Sequence, residues 1–541
     1  RLYVTWSDLF FIEGVMVSYN YSDDGEHANI VTVSASGIRF SHRWVLTHGS
    51  ILSPLEQAKH IQNARGKPIL NAEFYDNLPE IYVTCERGES KVPSVYDNVE
   101  RYSRERSAGI EADLEHSSYQ IRVLTGRICH VWQCQMLDRC VDSILYSWTI
   151  GHRDGDVEKQ TQLGKALLSV FVLIDLESDD RGAKALRPLS ELLDLVRPPP
   201  ERGSNVQVHS TPFGCEVFLN SVTRGGVCGV VGERPSLLLT DAATALGSEG
   251  GPVFSEGSTS ELVGVVVCSV SWWRGEWVGL TLVAPLGSVL ASKLRVAARR
   301  PPLAPVPDHY RRILDSIDST TVLVRCGSSW GAGVYLGEGY VLTCAHVVRD
   351  YQSYKVSVYC QGASETAVVR YKTRDATAYD LALVLTGAQL RPRLTPAALA
   401  DRPAEKGEPV LAAGYPFFSE TQLRQLRPAL TAGHVSNASP SMLQTSCCVQ
   451  SGFSGGPVLR VRAGAGAAGR PVELVGVTVS NAKTQTGACY PYINMAVPAR
   501  AVARLLRTFM LDKDTTKLAQ IENNKEMIQS QWRLLPYRSK I

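Results

Sequence analysis

Three residues, widely spaced in the chain, have the types needed to make a hydroxyl attack a carbonyl. Ser454 stands in Gln450-Ser451-Gly452-Phe453-Ser454-Gly455-Gly456-Pro457-Val458. His346 stands in Tyr340-Val341-Leu342-Thr343-Cys344-Ala345-His346-Val347-Val348, and Asp380 in Ala378-Tyr379-Asp380-Leu381-Ala382-Leu383-Val384. A serine alone is a poor nucleophile; it needs a base, and the base needs a group that orients it. An imidazole and a carboxylate fill those two roles near neutral pH. The glycines have a separate task. Without Cβ atoms they let the backbone curl so that the amide N–H groups of Gly452 and Ser454 point into one hollow. Two such donors can hold the oxyanion formed when a carbonyl is attacked.

The chain order His346, Asp380, Ser454 and the residues around each resemble the chymotrypsin-fold serine proteases. The match is closest to the Deg/HtrA-like branch, whose serine box is also G-x-S-G-G-P and in which no cysteine follows the histidine. The resemblance implies an all-β fold of two six-stranded antiparallel barrels with the site in the crevice between them. It implies His346 as base, Asp380 as its orienting acid and Ser454 as nucleophile, with Gly452 and Ser454 amides as the oxyanion hole and neither cofactor nor metal. Asp350 and Asp375 are alternatives to Asp380, but only Asp380 is followed directly by an apolar strand, Leu381 to Leu385. By the same resemblance the substrate pocket is walled by Cys447 to Ser451 and by Thr478 to Asn481, with Cys447, Val479, Ser480 and Asn481 as candidates. No aspartate stands there of the sort that selects Lys or Arg, so a small uncharged side chain is expected.

The elements that position these residues occur twice. Ala35 through Ser50 can be laid without gaps on Gly331 through His346, sharing a glycine at the third place, an aromatic at the tenth and then Val-Leu-Thr. Gly247-Ser248-Glu249-Gly250-Gly251-Pro252-Val253 lies over Gly452 to Val458, and Glu-Leu-Val-Gly-Val follows each, at Glu261 and at Glu473. This is an internal duplication. In the first copy Ser50 takes the place of the histidine and Glu249 that of the serine, so that copy has lost its chemistry. His42 and His48 read as ordinary surface or packing residues. The first copy separates its boxes by 199 positions (249 − 50) and the second by 108 (454 − 346), which leaves about 91 extra residues expected as an insertion around 52–165. The run Ile128-Cys129-His130-Val131-Trp132-Gln133-Cys134 inside it reads as a small packed patch, with Cys134 as a self-cleavage candidate. Cys129 beside His130 is too little for a metal site, which needs three or four ligands.

The expected divisions are a degenerate domain over 1–295, a Pro-rich linker over 296–312, a catalytic domain over 313–511 and a tail over 512–541. Arg299 to Pro307 is the stiffest stretch, inclined to polyproline II. Short strands with turns between them, such as Thr321 to Val324 and Val356 to Tyr359, fit a barrel. Arg462 to Pro471 reads as a hairpin loop, Ala499 to Met510 as a closing helix with Ala503, Leu505, Leu506 and Met510 on one face, and Leu518, Ile521, Ile528 and Trp532 as one stripe of a tail helix.

A net charge of +3 gives no reason to expect a nucleic-acid partner, and apolar stretches such as Ala166 to Ile174 fall far short of the roughly 20 residues that span a bilayer. No signal-peptide pattern opens the chain. Thirteen cysteines without a CxxC pair and without a disulfide bracket around His346 point to a reducing compartment and structural thiols. The chain ends Ser539-Lys540-Ile541, one residue from the Ser-Lys-Leu address read by a peroxisomal receptor. Together with the duplication, this resembles the peroxisomal leader-peptide-processing proteases, known in plants as glyoxysomal processing proteases. The resemblance implies a serine endopeptidase of the peroxisomal matrix that removes leaders from imported enzymes, often next to a cysteine, and processes itself. Its partners would be leader-bearing substrates, the import receptor at the C-terminus and, in a homo-oligomer, further copies of the chain. The rival is a non-catalytic scaffold of two protease-like domains, against which stands the full set of catalytic types in the second half. A secreted trypsin-like protease fits less well, lacking the histidine-loop disulfide.

Overall fold

Alternation sets the strands. Val356 to Cys360 alternates buried and half-buried residues, as a strand with one face on a core must. Val170 to Asp175 is buried throughout because its two faces meet two cores: Val170, Val172 and Ile174 point into a barrel, and Phe171 and Leu173 into a second cluster beneath it. The computed structural model describes residues 11–22, 30–55, 75, 77–86, 121–144, 163–176, 186–232, 235–256, 261–273, 276–296, 303–375, 377–416, 426–462, 469–483, 489–522 and 526–532.

Among these residues the strands form four six-stranded antiparallel barrels. The first comprises β1 (Ile12–Ser22), β2 (Ile30–Phe40), β3 (Trp44–His48), β4 (Ile81–Glu86), β5 (Ile121–Gln133) and β6 (Val170–Asp175), closed in the order β1-β2-β3-β6-β5-β4. The second comprises β7 (Asn205–Ser210), β8 (Ser221–Val231), β9 (Leu237–Thr240), β10 (Pro252–Ser255), β11 (Glu261–Trp273) and β12 (Glu276–Pro285). The third, β13 (Thr321–Cys326), β14 (Ser329–Gly337), β15 (Tyr340–Thr343), β16 (Val356–Cys360), β17 (Ala363–Lys372) and β18 (Ala382–Thr386), closes in the same order as the first. The fourth comprises β19 (Pro409–Gly414), β20 (Ala429–Ala438), β21 (Leu443–Thr445), β22 (Pro457–Val461), β23 (Val472–Lys483) and β24 (Cys489–Pro498). The second and fourth close through β11–β12 and β23–β24, and a parallel pairing of Glu276 with Cys489 joins them into one twelve-stranded sheet. The fold is thus all-β, two chymotrypsin-like double barrels in series.

The duplication extends to individual hydrogen bonds. Thr47 Oγ1 donates to Ser36 O at 2.6 Å, and Thr343 Oγ1 to Ala332 O at 2.7 Å. Ser36 N–H reaches Glu249 O at 2.9 Å, and Ala332 N–H reaches Ser454 O at 2.8 Å. The extra length of the first copy is not one insertion over 52–165, because β4 and β5 lie within that range and complete the barrel. It is divided among the connections before, between and after those two strands.

A helix starts at Asp308, inside the stretch expected as linker, with Pro307 at its N-cap; proline cannot continue a helix but is well placed at its entrance. This helix docks the halves together: Arg202, buried, pairs with buried Asp318 at 2.7 Å, and Tyr310 Oη donates to Arg202 O at 3.2 Å. The closing helix spans Ala499–Asp512, burying Val502, Ala503, Leu506 and Phe509, while Leu505 and Met510 are half-buried at its edge. The tail is two pieces, a 3-10 segment Thr515–Ile521 and a helix Glu526–Trp532. Leu518 and Ile521 are buried in the third barrel's core, and Trp532 Nε1 donates to Ser441 O at 3.0 Å, so the stripe docks on its own domain. Of the Arg462–Pro471 loop the described ends are tied by Arg462 N–H to Pro471 O at 2.8 Å. Among the described residues no helix is long and apolar enough to cross a membrane. Ser539, Lys540 and Ile541 lie outside the described residues.

Candidate active site

His346 opens a 3-10 turn just after β15, and Asp380 stands two residues before β18, the strand that pairs with β15. That pairing brings them together. Asp380 Oδ2 lies 2.5 Å from His346 Nδ1, and Asp380 Oδ1 accepts the His346 backbone N–H at 3.0 Å. Burial alone would raise the Asp380 carboxyl. The hydrogen bond and charge of His346, with the backbone amides of His346 and Ala345, outweigh burial and hold it below the usual carboxylate range. With Nδ1 engaged, Nε2 is the ring nitrogen available to a substrate or nucleophile.

Ser454 reaches the same cleft from the fourth barrel. Its turn is fixed by Phe453 N–H to Gln450 O at 3.0 Å and by φ of +98° at Gly452. A four-residue turn with positive φ at its third position is type II. The type I alternative would flip the Ser451–Gly452 peptide and reverse the Gly452 N–H. A Cβ on Gly452 would stand 2.1 Å from Tyr415 O, so side chains are excluded by space as well as by φ. Among the described residues neither the Gly452 nor the Ser454 amide hydrogen has an acceptor. Two unengaged donors beside a hydroxyl form a site for developing negative charge. The Ser454 hydroxyl donates to Val479 O at 3.3 Å, and no hydrogen bond joins it to His346. Such contacts are commonly loose without substrate, and rotation about one χ1 bond re-aims the hydroxyl.

The cleft, of about 720 Å³, holds His346, Asp380, Ser454, Gly452, Val479, Ser480 and Asn481 in its lining. Cys447 does not belong there. It is fully buried in the fourth barrel's core with its thiol toward Val410 O, because the chain turns to face the cleft only at Val449 and Gln450. Sequence reasoning had no means of finding this turn; strand alternation stops at Thr445, where β21 ends. Gln450 and Asn481 are buried, and among the described residues both amide atoms of Gln450 and Oδ1 of Asn481 have no partner. Cys344, His346 and Asp380 also place three ligand-type atoms within 4.8 Å. His346 and Asp380 are committed to each other, and burial pushes the Cys344 thiol, which faces Thr478 O, far above its usual value. The set suits proton transfer better than ion binding.

The first half shows what the same corner becomes without its chemistry. Ser50 stands at the histidine place. The register of β3 with β6, set beside that of β15 with β18, puts Val170 at the place of Asp380. Glu249 stands at the serine place, and its Oε2 accepts the Gly247 N–H at 2.8 Å. Gly247, at φ +91°, corresponds to Gly452, so a carboxylate fills the hollow where an oxyanion would sit. Burial pushes that carboxyl up, against the pull of the Glu249, Gly247 and Ser269 amides. His48 is fully buried with Nε2 against Leu168 O at 3.1 Å, and burial lowers it to about 4 despite that carbonyl. Cys134, the self-cleavage candidate, is buried between β5 and the helix Gln135–Ile144, its N–H on Ser169 O at 2.8 Å. A protease needs an accessible segment, and Cys134 is buried.

Residues 331–465 match the trypsin-like peptidase domain family. The chain is 31% identical to the peroxisomal leader peptide-processing protease of Mus musculus over 359 residues, covering 62% of this chain and 60% of that protein. To the protein of the same name from Homo sapiens it is 32% identical over 399 residues, covering 68% of this chain and 65% of that protein. The chain thus spans 60–65% of the length of these relatives. A serine endoprotease structure from Yersinia pestis aligns with 39% of this chain and 70% of its own at 24% identity, with a TM-score of 0.30.

Proposed function

We propose that this chain, which carries a trypsin-like peptidase domain at 331–465 and is homologous to proteins named peroxisomal leader peptide-processing protease, is a serine endopeptidase that removes targeting leaders from peroxisomal proteins. The observation that carries the reading is the His346–Asp380 pair at 2.5 Å in one cleft with Ser454 and two amides that lack acceptors. Ser454 Oγ attacks the scissile carbonyl while His346 Nε2 takes its proton. The Gly452 and Ser454 amides hold the oxyanion, and one such donor contributes roughly 3–4 kcal/mol to the transition state. His346 then protonates the leaving amine, the acyl-enzyme forms, and water repeats the sequence in reverse. Asp380 fixes the ring and stabilises the imidazolium.

Val479, Ser480 and Asn481, with Val449 and Gln450, wall the pocket. None is charged, and the partnerless amide atoms of Gln450 and Asn481 favour a small neutral side chain that can hydrogen-bond. The peroxisomal matrix is the proposed site of action, from the relatives' names. The division into a degenerate domain and a catalytic domain belongs to the proposal, and the two double barrels support it. Self-processing belongs to the proposal, with Cys134 disfavoured by its burial.

The test is incubation with leader-bearing peroxisomal precursors and sequencing of the new N-termini, beside Ser454→Ala. New termini that require Ser454 are expected. Absence of cleavage together with absence of fluorophosphonate labelling at Ser454 would favour the scaffold reading.

A further inference from the structure

We propose that the catalytically inert first half is the rear support of the substrate pocket in the second half and sets which side chain that pocket accepts; the inference rests on the peptidase reading above. Cys448 carries the argument. It precedes Val449 and Gln450, which face the cleft, yet it is fully buried in a core made of first-half residues, among them Cys228, Leu239, Val278 and Leu280. Its thiol lies 3.5 Å from both Val278 O and Gly279 O, on β12 of the second barrel. The pocket wall is therefore pinned from behind by the other half of the chain.

The support has a second point of contact. Tyr492, on β24, places its hydroxyl 3.3 Å from Asp241 O and 3.3 Å from Gly279 O, both in the first half. Gly279 has φ +64°, and a Cβ there would stand 3.2 Å from Pro491 Cγ and 3.4 Å from the Tyr492 ring. Pro491 O in turn accepts the Val449 N–H at 2.9 Å, and Val449 O accepts Asn481 Nδ2 at 2.7 Å. From Gly279 the contacts run through Pro491 and Tyr492 to Val449, and from Val449 to Asn481 across the pocket. Each link is a hydrogen bond or a packed contact. Recognition through the Gln450 and Asn481 amides depends steeply on distance and angle. A small displacement of this wall changes the choice between side chains more than it changes the reaction at Ser454.

The variants are Gly279→Ala, which presses on Pro491, and Tyr492→Phe, which deletes the one hydroxyl donor shared by Asp241 O and Gly279 O and keeps the ring. Cys360→Ala, a buried thiol of the third barrel, is the control for general destabilisation. Three readouts are taken: kcat/KM on peptides that differ only in the residue before the cleaved bond (Ala, Asn, Leu, Arg), the fluorophosphonate labelling rate at Ser454, and amide exchange at Val449. Support predicts that the Asn-to-Ala ratio of kcat/KM moves about fivefold or more in both variants, as loss of hydrogen-bond alignment in a specificity site should. Labelling stays within about twofold, because the probe's reaction uses the triad and hole. Exchange at Val449 quickens in both, and Cys360→Ala leaves ratio and exchange unchanged. A ratio and a Val449 exchange rate both unchanged in the folded variants would overturn the inference. If the unaltered enzyme neither cleaves nor labels, the peptidase reading fails, and quickened exchange at Val449 still decides whether the first half holds the wall.

Discussion

The two crevices of this molecule share a backbone and differ in what occupies it. In the second half, Gly452 at φ +98° aims an amide into open space beside a hydroxyl; in the first, Gly247 at φ +91° aims the same amide at the carboxylate of Glu249, 2.8 Å away. The bonds from Ser36 to Glu249 and from Ala332 to Ser454 have nearly the same length. The turn is therefore a structural corner of the double barrel that persists when Glu249 takes the place of the serine. What selection for chemistry adds is an imidazole, an acid and the absence of an internal ligand in the hollow.

The comparison breaks most clearly at the nucleophile. Ser454→Ala should lower kcat/KM on a cleaved precursor by up to about a millionfold, whereas Glu249→Ala at the matching place should leave it within about twofold and cost roughly 1–3 kcal/mol of stability, by stranding the buried Gly247 N–H. Substantial loss of cleavage in Glu249→Ala would contradict an inert first copy. Asp380→Asn should cost about ten-thousandfold in kcat, since the wrong tautomer of His346 is then favoured; a kcat within about tenfold would return the role to Asp350 or Asp375.

Acid should separate the halves next. The folded value of about 4 for His48 lies below its ordinary 6.5, so its contribution is present above 6.5 and is lost as pH falls through 6.5 toward 4. At pH 5 that is about 2 kcal/mol, by the relation of 1.36 kcal/mol per unit. His48→Gln should flatten the fall in melting temperature between pH 7 and pH 5, measured by calorimetry. An unchanged slope would assign the acid sensitivity elsewhere. The smallest effect is expected at Cys134. Mass spectra of the unaltered protein and of Ser454→Ala should both show an unbroken Cys134 segment, and a Ser454-dependent fragment ending there would show that this core opens.

The second half was legible from its boxes because each proposed catalytic residue abuts a segment of fixed pattern: Val-Leu-Thr before His346, Leu381 to Leu385 after Asp380, glycines around Ser454. The first half was legible only where that wording survived. Val170 carries no trace of an acid, and only its register opposite β3 identifies its place. The extra residues looked like one insertion because β4 and β5 stand among long polar connections that hide a six-residue strand such as Ile81 to Glu86. Cys447 was misplaced for a different reason. Facing core or cleft is decided there by a turn, and turns of this kind leave no periodicity to read.

The seam between β12 and β24 has a consequence for how the gene product must be made and kept. Expressed alone from the Pro-rich stretch onward, the second half would keep His346, Asp380 and Ser454 and yet leave uncovered the Cys448 flank, which is buried in a core of first-half residues, an apolar patch of the kind that recruits other chains. The first copy is then a lasting cover for surface that the second cannot hide by itself, and the two are expected to fold and persist as one body.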